Sequence, residues 1–289
     1  MGDRHRRGLP ASDRTTGGPV TPSVLVPDWP APPTVHAFST SRDGGVSNGP
    51  FASLNLGSHV GDAPDRVQEN RRRVCALLPA PPMWLEQVHG VDVAAHRLAA
   101  GTIRADAAFT SAAGAVCAVM TADCLPVLFC DASGSVVAAA HAGWRGLAAG
   151  VLENTIRAMQ APPPQLLAWF GPAIGAQAFE VGDDVRDVFV AHDAGAESAF
   201  VRAGRPGKWL ADLGALARRR LALAGVDRVF GGHWCTYQDR DRFFSHRRDG
   251  RCGRQASVIW LSESVHPGDG GGVHEAPAGV TGDGAGQGD

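Results

Sequence analysis

The sequence predicts an α/β (α+β) fold, as a single compact domain of mixed sheets flanked by helices. Short apolar segments alternate with amphipathic ones along most of the 289 residues, and no change in composition divides the middle of the chain. Hydrophobic residues make up 44% of the sequence, which is enough for a sizeable core. The folded body is expected at 24–263, between tails at 1–23 and 264–289 whose composition predicts disorder.

The first half of the body predicts one helix followed by three buried strands. Residues 61–64 offer a helix N-cap and an early proline, and apolar residues then recur at helical spacing on one face. Three short, nearly continuous apolar runs predict buried strands, at 115–120, 125–130 and 135–140. The last of these strands ends directly before His141.

The second half predicts two helices and three further strands. Gly143 and Gly146 precede a helix with an apolar face, which the prolines of 162–164 stop. A strand at 166–170 then leads into a turn rich in Gly and Pro at 171–175. A second helix is predicted from the spacing of Leu210, Leu213, Leu216, Ala217, Leu221 and Ala224. The remaining segments are strands at 226–230 and 256–261 and a polar stretch at 243–254.

The charge balance and the cysteines indicate the kind of partner and the compartment. There are 27 Lys and Arg residues against 29 Asp and Glu, so the chain lacks the basic surface of a protein that binds nucleic acid or an anionic membrane. A small-molecule partner is expected, with the chain acting as a monomer or weak dimer. Six cysteines without a CxxC pair, and the lack of an apolar signal or membrane-spanning run, predict a cytoplasmic protein with free thiols.

Two histidines and one cysteine are the candidate metal ligands: His89, Cys124 and His141. His89 lies beside a glycine, Cys124 follows an aspartate in an apolar region, and His141 lies where a strand ends and a glycine turn begins. Strand ends and loops are where functional sites are usually built. Two imidazoles and a thiolate suit Zn²⁺ and leave a fourth tetrahedral position open for water or substrate. If they bind one ion, their ligand atoms should lie within about 4 Å of one another.

The other cysteines fit this site less well. Cys130 is six residues beyond Cys124 on a predicted strand, which separates the two thiols by about 20 Å at roughly 3.3 Å per residue. Cys117 precedes Cys124 by a similar length and fails the same test. Cys235 and Cys252 stay open as ligands, because only the tertiary fold decides whether they approach the site.

The residues alone leave other kinds of metal or thiol site open. Cys124 and one histidine, oriented by Asp106 or Asp123, would make a dyad like that of cysteine proteases. Met120 lies near Cys124, so a blue-copper site with an axial methionine is an alternative, with copper in place of zinc. A structural zinc protein that acts by binding a partner would need a fourth Cys or His ligand, for which the sequence shows no candidate.

Two metal-dependent classes are disfavoured by their missing motifs. The eleven histidines are scattered and no H-x-H pair occurs, so a multicopper cluster is not expected within this chain. The H-x-E and P-C-x-x-C strings of a nucleobase-deaminase zinc site are also missing.

The segments that carry the candidate ligands resemble a known family, and the match extends along the whole body. The matching segments, in chain order, are FSTSRDGGVS (38–47), SLNLG (53–57), ENR (69–71), QVH (87–89), DA (106–107), TADC (121–124), HAGWRG (141–146), GPAIG (171–175), FEVG (179–182) and FSHRR (244–248). They cover about 35–261 in the family's order. The chain thus resembles the laccase-domain or polyphenol oxidase family, whose members are also described as purine nucleoside phosphorylases and as peptidoglycan editing factors.

The resemblance implies a single α/β domain in which His89, Cys124 and His141 bind zinc. It also implies phosphorolysis of adenosine, inosine and S-methyl-5′-thioadenosine to a free base and a ribose 1-phosphate, with adenosine deamination as a further activity. Copper-dependent polyphenol oxidation and hydrolysis of a peptidoglycan precursor are the alternatives that the family's other names imply. Cys252 departs from the small polar residue expected at its position.

The implied chemistry assigns roles to further residues of the matching segments. Asp123 and Asp106 are the catalytic candidates, expected to hold a ligand imidazole or move a proton, although such residues also cap turns. Phosphorolysis needs at least one arginine that meets phosphate bidentately, and Arg145 is favoured because it enters a helix whose first amides attract an anion. The other candidates for binding phosphate or substrate are Arg42, Asn55, Arg71 and Arg248.

Overall fold

The computed structural model describes residues 21–96 and 103–263. Apart from 21–23, the tails predicted at 1–23 and 264–289 lie outside these residues. The strands are β1 (Val24–Leu25), β2 (Val35–Thr40), β3 (Leu85–Glu86), β4 (Val93–Ala95), β5 (Ile103–Arg104), β6 (Ala107–Thr110), β7 (Val116–Thr121), β8 (Leu125–Asp131), β9 (Val137–Ala142), β10 (Leu166–Phe170), β11 (Glu180–Gly182), β12 (Phe200–Arg202), β13 (Lys208–Ala211), β14 (Arg228–Gly231) and β15 (Gln255–Leu261). The α-helices are α1 (Pro64–Cys75), α2 (Trp144–Ala149), α3 (Val151–Met159), α4 (Asp183–His192), α5 (Leu213–Leu223) and α6 (His246–Asp249). Short 3-10 helices are found at Gly49–Phe51, Pro163–Gln165 and Ala194–Ala199.

Most strands belong to two large sheets. The larger sheet has six strands in the order β14-β10-β8-β9-β6-β4, and it is mixed because β14 and β4 run parallel to their neighbours. The second sheet has four antiparallel strands in the order β1-β2-β15-β7. A three-stranded antiparallel sheet, β11-β13-β12, and the parallel pair β3-β5 are smaller. Mixed sheets with surrounding helices confirm the predicted α/β (α+β) class.

The six-stranded sheet is buried on both faces, which explains why its central strands have continuous apolar sequences. On one face, Val127 and Phe129 of β8 belong to the core that this sheet forms with α2, α3 and α5. On the other face, Leu128 shares a core with Val119 of β7 and Ile259 of β15. The four-stranded sheet therefore covers the second face, while α1 packs on its far side.

Most predicted elements are present within one or two residues, but the two helices predicted in the second half of the chain differ. The first is divided into α2 and α3 at Gly150, whose φ of +102° lies in the left-handed region that favours glycine. Leu210, predicted on the second helix, lies instead in β13, because residues 208–211 pair with β11 and β12. The helix begins only after Asp212, whose side chain accepts a hydrogen bond from the Ala215 N–H.

The antiparallel strands β7, β8 and β9 bring two candidate ligands to one edge of the molecule. β7 ends at Thr121 and β8 begins at Leu125, so the turn between them carries Cys124. β8 and β9 pair with Leu125 opposite Ala142, which places His141 beside that turn.

All six cysteines are free thiols. Cys117 and Cys130 are fully buried between the two large sheets, so both pack as apolar core residues. Among the helices of the described ranges, none has the length and apolar character needed to cross a membrane.

Candidate metal centre

The side chains of His89, Cys124 and His141 converge at this edge. Their ligand atoms all lie within 4.8 Å of one another, and Cys124 Sγ lies 3.6 Å from His89 Nε2. The two imidazole rings meet edge to face with centroids 4.7 Å apart. A tetrahedral ion with bonds of about 2.0–2.3 Å holds its ligand atoms roughly 3.5 Å apart. The three side chains therefore need only small adjustments to bind one ion.

Asp106 contacts both histidines of this cluster, through the ring of His141 and the backbone of His89. Its Oδ1 lies 2.8 Å from His141 Nδ1, which leaves Nε2 of the ring for the cluster. The same carboxylate accepts hydrogen bonds from the backbone N–H groups of Val88, His89 and Gly90, at 3.2, 2.9 and 2.6 Å. Burial opposes ionisation, but the hydrogen bonds from His141 and Gly90 outweigh it and hold the pKa of Asp106 below its usual range. One buried, ionised group thus positions two candidate ligands.

Gly143 leaves the space that the cluster needs. A Cβ at this position would lie 2.7 Å from His89 Cδ2 and 2.9 Å from Cys124 Sγ, closer than real Cβ contacts. At Gly146 a Cβ would lie 2.8 Å from the carbonyl oxygen of Gly90. The two glycines therefore allow the start of α2 to approach the loop that carries His89.

The cluster favours the thiolate form of Cys124. Burial raises the pKa of this thiol, but His141 and His89 outweigh it, and the pKa falls below its usual range. Burial also lowers the pKa of His141, while Cys124 and Asp106 together raise it above its usual range. The thiolate is the form that binds a metal ion or acts as a nucleophile, so the electrostatics suit either role.

The cluster lies in the wall of a cavity of about 330 Å³, a size typical of small-ligand sites. Apart from the Cys124 thiolate, the charged part of the lining is basic, because Arg145 and Arg254 contribute guanidinium groups and no carboxylate of the described residues lines the cavity. An anionic ligand is therefore favoured there. The rest of the lining consists of His59, Gln87, Met120, Thr121, Ala122 and His246.

Several of these lining residues are not recognisable as site residues from the sequence alone. Gln87, Thr121 and His246 lie in segments that match the family, and this membership is the sequence signal that could identify them. His59 and Arg254 lie outside the matching segments. Only the tertiary structure brings these two side chains to the cavity.

Asp123 holds loops together. Its Oδ1 accepts a hydrogen bond from the Thr236 hydroxyl at 2.6 Å, and its Oδ2 accepts one from the Arg247 backbone N–H at 2.6 Å. Its backbone carbonyl accepts a further bond from Ile174. Neither Asp123 nor Asp106 belongs to the described residues that line the cavity. Their contacts favour positioning roles for both, and for Asp106 this is the first of the two expected roles, since it holds the His141 imidazole.

Of the four arginines expected to bind phosphate, the described lining of the cavity includes only Arg145. Its side chain is exposed, and its guanidinium lies 4.5 Å from the Trp144 ring centroid. Arg42 and Arg248 line a separate cavity and donate to backbone carbonyls. Arg71 also donates to a backbone carbonyl and stacks on a tryptophan. The structure thus places these three outside the lining of the metal-centre cavity.

Asn55 is fully buried and contacts the protein itself. Its Oδ1 accepts hydrogen bonds from the backbone N–H groups of Gly57 and Arg254, each at 2.9 Å. Its Nδ2 donates to the Gly57 carbonyl at 3.2 Å and to Asp62 Oδ2 at 2.9 Å. These bonds use the whole hydrogen-bonding capacity of the amide. The expected contact of Asn55 with substrate is therefore replaced by a role in placing Arg254.

The cluster has the form of an open metal site. Within residues 21–96 and 103–263, His89, Cys124 and His141 are the only group of three or more metal-ligating side chains, and no fourth such residue joins them. Three protein ligands are typical of catalytic zinc sites, whereas structural sites have four. A multicopper cluster would need further centres. Met120 also lines the cavity, which keeps copper compatible with the donor set.

Known proteins match this chain over most of its length. The family model described as multi-copper polyphenol oxidoreductase laccase matches residues 36–262. A purine nucleoside phosphorylase of Pseudomonas aeruginosa is 56% identical over 239 residues, which cover 83% of this chain and 98% of the relative. Purine nucleoside phosphorylase YfiH of Escherichia coli is 56% identical over 243 residues, which cover 82% of this chain and 98% of the relative.

Solved structures show the same fold. A Neisseria meningitidis protein superimposes with a TM-score of 0.81 at 53% identity, covering 83% of this chain and 99% of that protein. YlmD of Geobacillus stearothermophilus superimposes with a TM-score of 0.73 at 35% identity, covering 80% of this chain and 93% of that protein. Because the family model matches most of this chain and the relatives align with it over nearly all of their own length, the chain belongs to the family described as multi-copper polyphenol oxidoreductase laccase.

Proposed function

We propose that this protein is a zinc-dependent purine nucleoside phosphorylase that acts on adenosine, inosine and S-methyl-5′-thioadenosine, with adenosine deamination as a second activity. The observation that carries the proposal is the His89, Cys124 and His141 cluster in a cavity whose charged lining is basic. Such a cavity suits a reaction that brings an anion and a neutral nucleoside together. The 56% identity to relatives named purine nucleoside phosphorylases supports the same reaction class.

In phosphorolysis, a phosphate oxygen forms a bond to C1′ of the ribose while the bond from C1′ to N9 of the purine breaks. The electron pair stays with the purine, which takes up a proton, so the products are the free base and ribose 1-phosphate. The basic lining serves this step by holding the anion beside the nucleoside and by offsetting its charge. His59 and His246 also line the cavity. An imidazole there would donate the proton that the purine takes up.

Zinc fits the donor set of the cluster. A bound zinc ion would supply Lewis-acid chemistry to a substrate oxygen or to water. Asp106 holds the His141 imidazole and the backbone of His89 in place, and Cys124 is already biased toward the thiolate that such an ion requires. In deamination, water adds at C6 of adenosine and ammonia leaves, which gives inosine.

The proposed enzyme is a cytoplasmic monomer or weak dimer. The three candidate ligands converge within one chain, so a monomer or weak dimer is compatible with the proposed reaction. Six free thiols support a cytoplasmic enzyme, since thiols stay reduced in that compartment.

The test is the product spectrum of the zinc-loaded protein supplied with adenosine, with and without phosphate. Adenine and ribose 1-phosphate that form only with phosphate would support phosphorolysis, and inosine would support deamination. Free ribose without phosphate would indicate a nucleoside hydrolase instead. Oxygen-dependent oxidation of phenols by the copper-loaded protein would favour a polyphenol oxidase, and cleavage of a peptidoglycan precursor would favour an editing hydrolase.

A further inference from the structure

We propose that Arg254 and Thr121 form the phosphate subsite of this cavity, an assignment that rests on the proposed function. Both residues line the cavity, and neither is among the arginines and the asparagine expected to bind phosphate or substrate. Thr121 ends β7, and Arg254 immediately precedes β15. These two strands pair with Thr121 opposite Gln255. The subsite therefore forms where two neighbouring strands reach the cavity.

The protein holds Arg254 in place through its backbone, its stem and one guanidinium nitrogen. Its N–H donates to Asn55 Oδ1 at 2.9 Å, and its carbonyl accepts from the Leu56 N–H at 3.1 Å. Nη1 donates to the Gly253 carbonyl at 3.0 Å. The stem packs on Gly57, where a Cβ would lie 2.8 Å from Arg254 Cγ. The buried turn at 55–57 is thus built around this arginine.

These contacts leave one edge of the guanidinium available. Among the described residues, Nε and Nη2 of Arg254 have no hydrogen-bond acceptor, whereas Arg42, Arg71 and Arg248 all donate through Nε to the protein. The N–H bonds of Nε and Nη2 run parallel from the same edge of the guanidinium plane, which is the geometry that meets two oxygens of a phosphate. Arg254 is thus fixed in place with this edge available, and no described carboxylate lines the cavity. Both features favour the binding of a dianion.

Thr121 adds a hydroxyl that lacks a protein partner. Its side chain is 2% exposed and lines the cavity, and its Oγ1 has no hydrogen-bond partner among the described residues. Buried hydroxyls normally have a partner, because an unpaired one loses its hydration without compensation. A phosphate oxygen in the cavity would accept the hydrogen bond that Thr121 has to donate.

The test separates the dependence on phosphate from the dependence on nucleoside. Arg254→Lys keeps the charge but loses the bidentate edge, and Thr121→Val removes the hydroxyl at nearly constant volume. We expect each variant to raise the KM for phosphate about tenfold or more, with the KM for the nucleoside and the zinc content changed by less than about twofold. Thr121→Ser keeps the hydroxyl and should retain a KM for phosphate near that of the wild type. An unchanged KM for phosphate in both Arg254→Lys and Thr121→Val overturns the subsite.

Two further variants and a melting curve sharpen the outcome. Arg240→Lys is the matched control, since Arg240 lies in the same arginine-rich segment but lines the separate cavity, and it should leave every constant unchanged. If Arg145→Lys raises the KM for phosphate while Arg254→Lys does not, Arg145 is the phosphate residue and the proposal is wrong. Thr121→Val should raise the melting temperature of the phosphate-free protein, because it removes an unpaired buried hydroxyl. A lower melting temperature would contradict the proposal.

Calorimetric titration with inorganic phosphate tests the subsite without turnover. The zinc-loaded wild-type protein should bind phosphate, and Arg254→Lys should bind it about tenfold more weakly or not at all. If the wild type releases no ribose 1-phosphate but binds phosphate through Arg254, the proposed function fails and the anion subsite stands. If phosphorolysis occurs and Arg254→Lys binds phosphate like the wild type, the proposed function stands and the subsite fails.

Discussion

Oδ1 of Asp106 lies 2.8 Å from Nδ1 of His141, and both side chains are buried. This hydrogen bond places the ring proton on Nδ1 and presents Nε2 to the metal-ligand cluster. The same carboxylate accepts backbone hydrogen bonds from the loop at 88–90, so it connects His141 on β9 to His89 in a loop. The orientation of the His141 imidazole and the position of the loop that carries His89 therefore depend on one buried carboxylate.

Asp106→Asn should weaken metal binding and also destabilise the fold. The amide keeps the shape of the side chain, but it has one acceptor oxygen where the carboxylate serves four donors. We expect a metal affinity about 10–100-fold lower and a free energy of unfolding lower by about 1–3 kcal/mol. Competition with a chromophoric chelator measures the first quantity, and urea unfolding of the metal-free protein measures the second.

Asp131→Asn is the matched control for this variant. Asp131 is a buried carboxylate that accepts backbone hydrogen bonds from Ser135 and Val136 in the turn between β8 and β9. Its substitution should lower stability and leave metal affinity unchanged. A loss of metal affinity in Asp131→Asn as large as that in Asp106→Asn, or no loss in either, would contradict the positioning role of Asp106.

Cys124→Ala should lower bound metal and activity together, because a metal ligand and its metal are lost at once. A covalent thiol nucleophile would instead lose activity with its metal content unchanged. His89→Ala separates the two cases further. It should act like the cysteine variant if the three side chains bind one ion, whereas a dyad of Cys124 and His141 predicts a mild effect. Metal analysis and nucleoside turnover on the same preparations measure both quantities.

Gly143→Ala should impair the metal centre through crowding. The backbone at Gly143 has φ near −65°, which alanine adopts readily, so any effect arises from the added methyl group. That methyl group would lie 2.7 Å from His89 Cδ2 and 2.9 Å from Cys124 Sγ. We expect metal affinity to fall about tenfold or more. Gly204→Ala is the control, since a Cβ there meets nothing within 4 Å, and equal affinities in the two variants would count against the crowded site.

The sequence predicts best the elements that are buried on both faces. β7, β8 and β9 are fully buried, so their apolar runs have no polar interruption and their bounds are predicted within two residues. α4 was not predicted, because it buries little more than Val185 and Phe189 and its apolar pattern is weak. Leu210 fits helical spacing, yet pairing with two strands places it in β13. Tertiary pairing of this kind is not visible in local spacing.

The candidate ligands could be identified because their side chains have metal-binding chemistry in distinctive segments. The arginines could not be ranked in this way, since Arg42 and Arg145 are the same residue type in similar glycine-flanked turns. Whether a guanidinium binds a carbonyl of the protein or lines the cavity depends on the tertiary fold. Arg254 illustrates this, because it is held by Asn55, which is 199 positions away in sequence.

Cys124 should react ahead of Cys75, Cys117, Cys130 and Cys252 in the metal-free protein. Burial is outweighed by His141 and His89, which lower the pKa of Cys124 to about 6, whereas burial raises the pKa of Cys75, Cys117, Cys130 and Cys252. Because the thiolate is the reactive form, iodoacetamide at about pH 7 should label Cys124 ahead of these four, and the rate should fall as the pH falls through the pKa of Cys124. Mass mapping of alkylated peptides across the pH range gives the midpoint. His141→Gln should move that midpoint up toward the usual thiol range, and bound zinc should protect Cys124 from alkylation. If His141→Gln leaves the midpoint unchanged, the imidazole does not stabilise the thiolate.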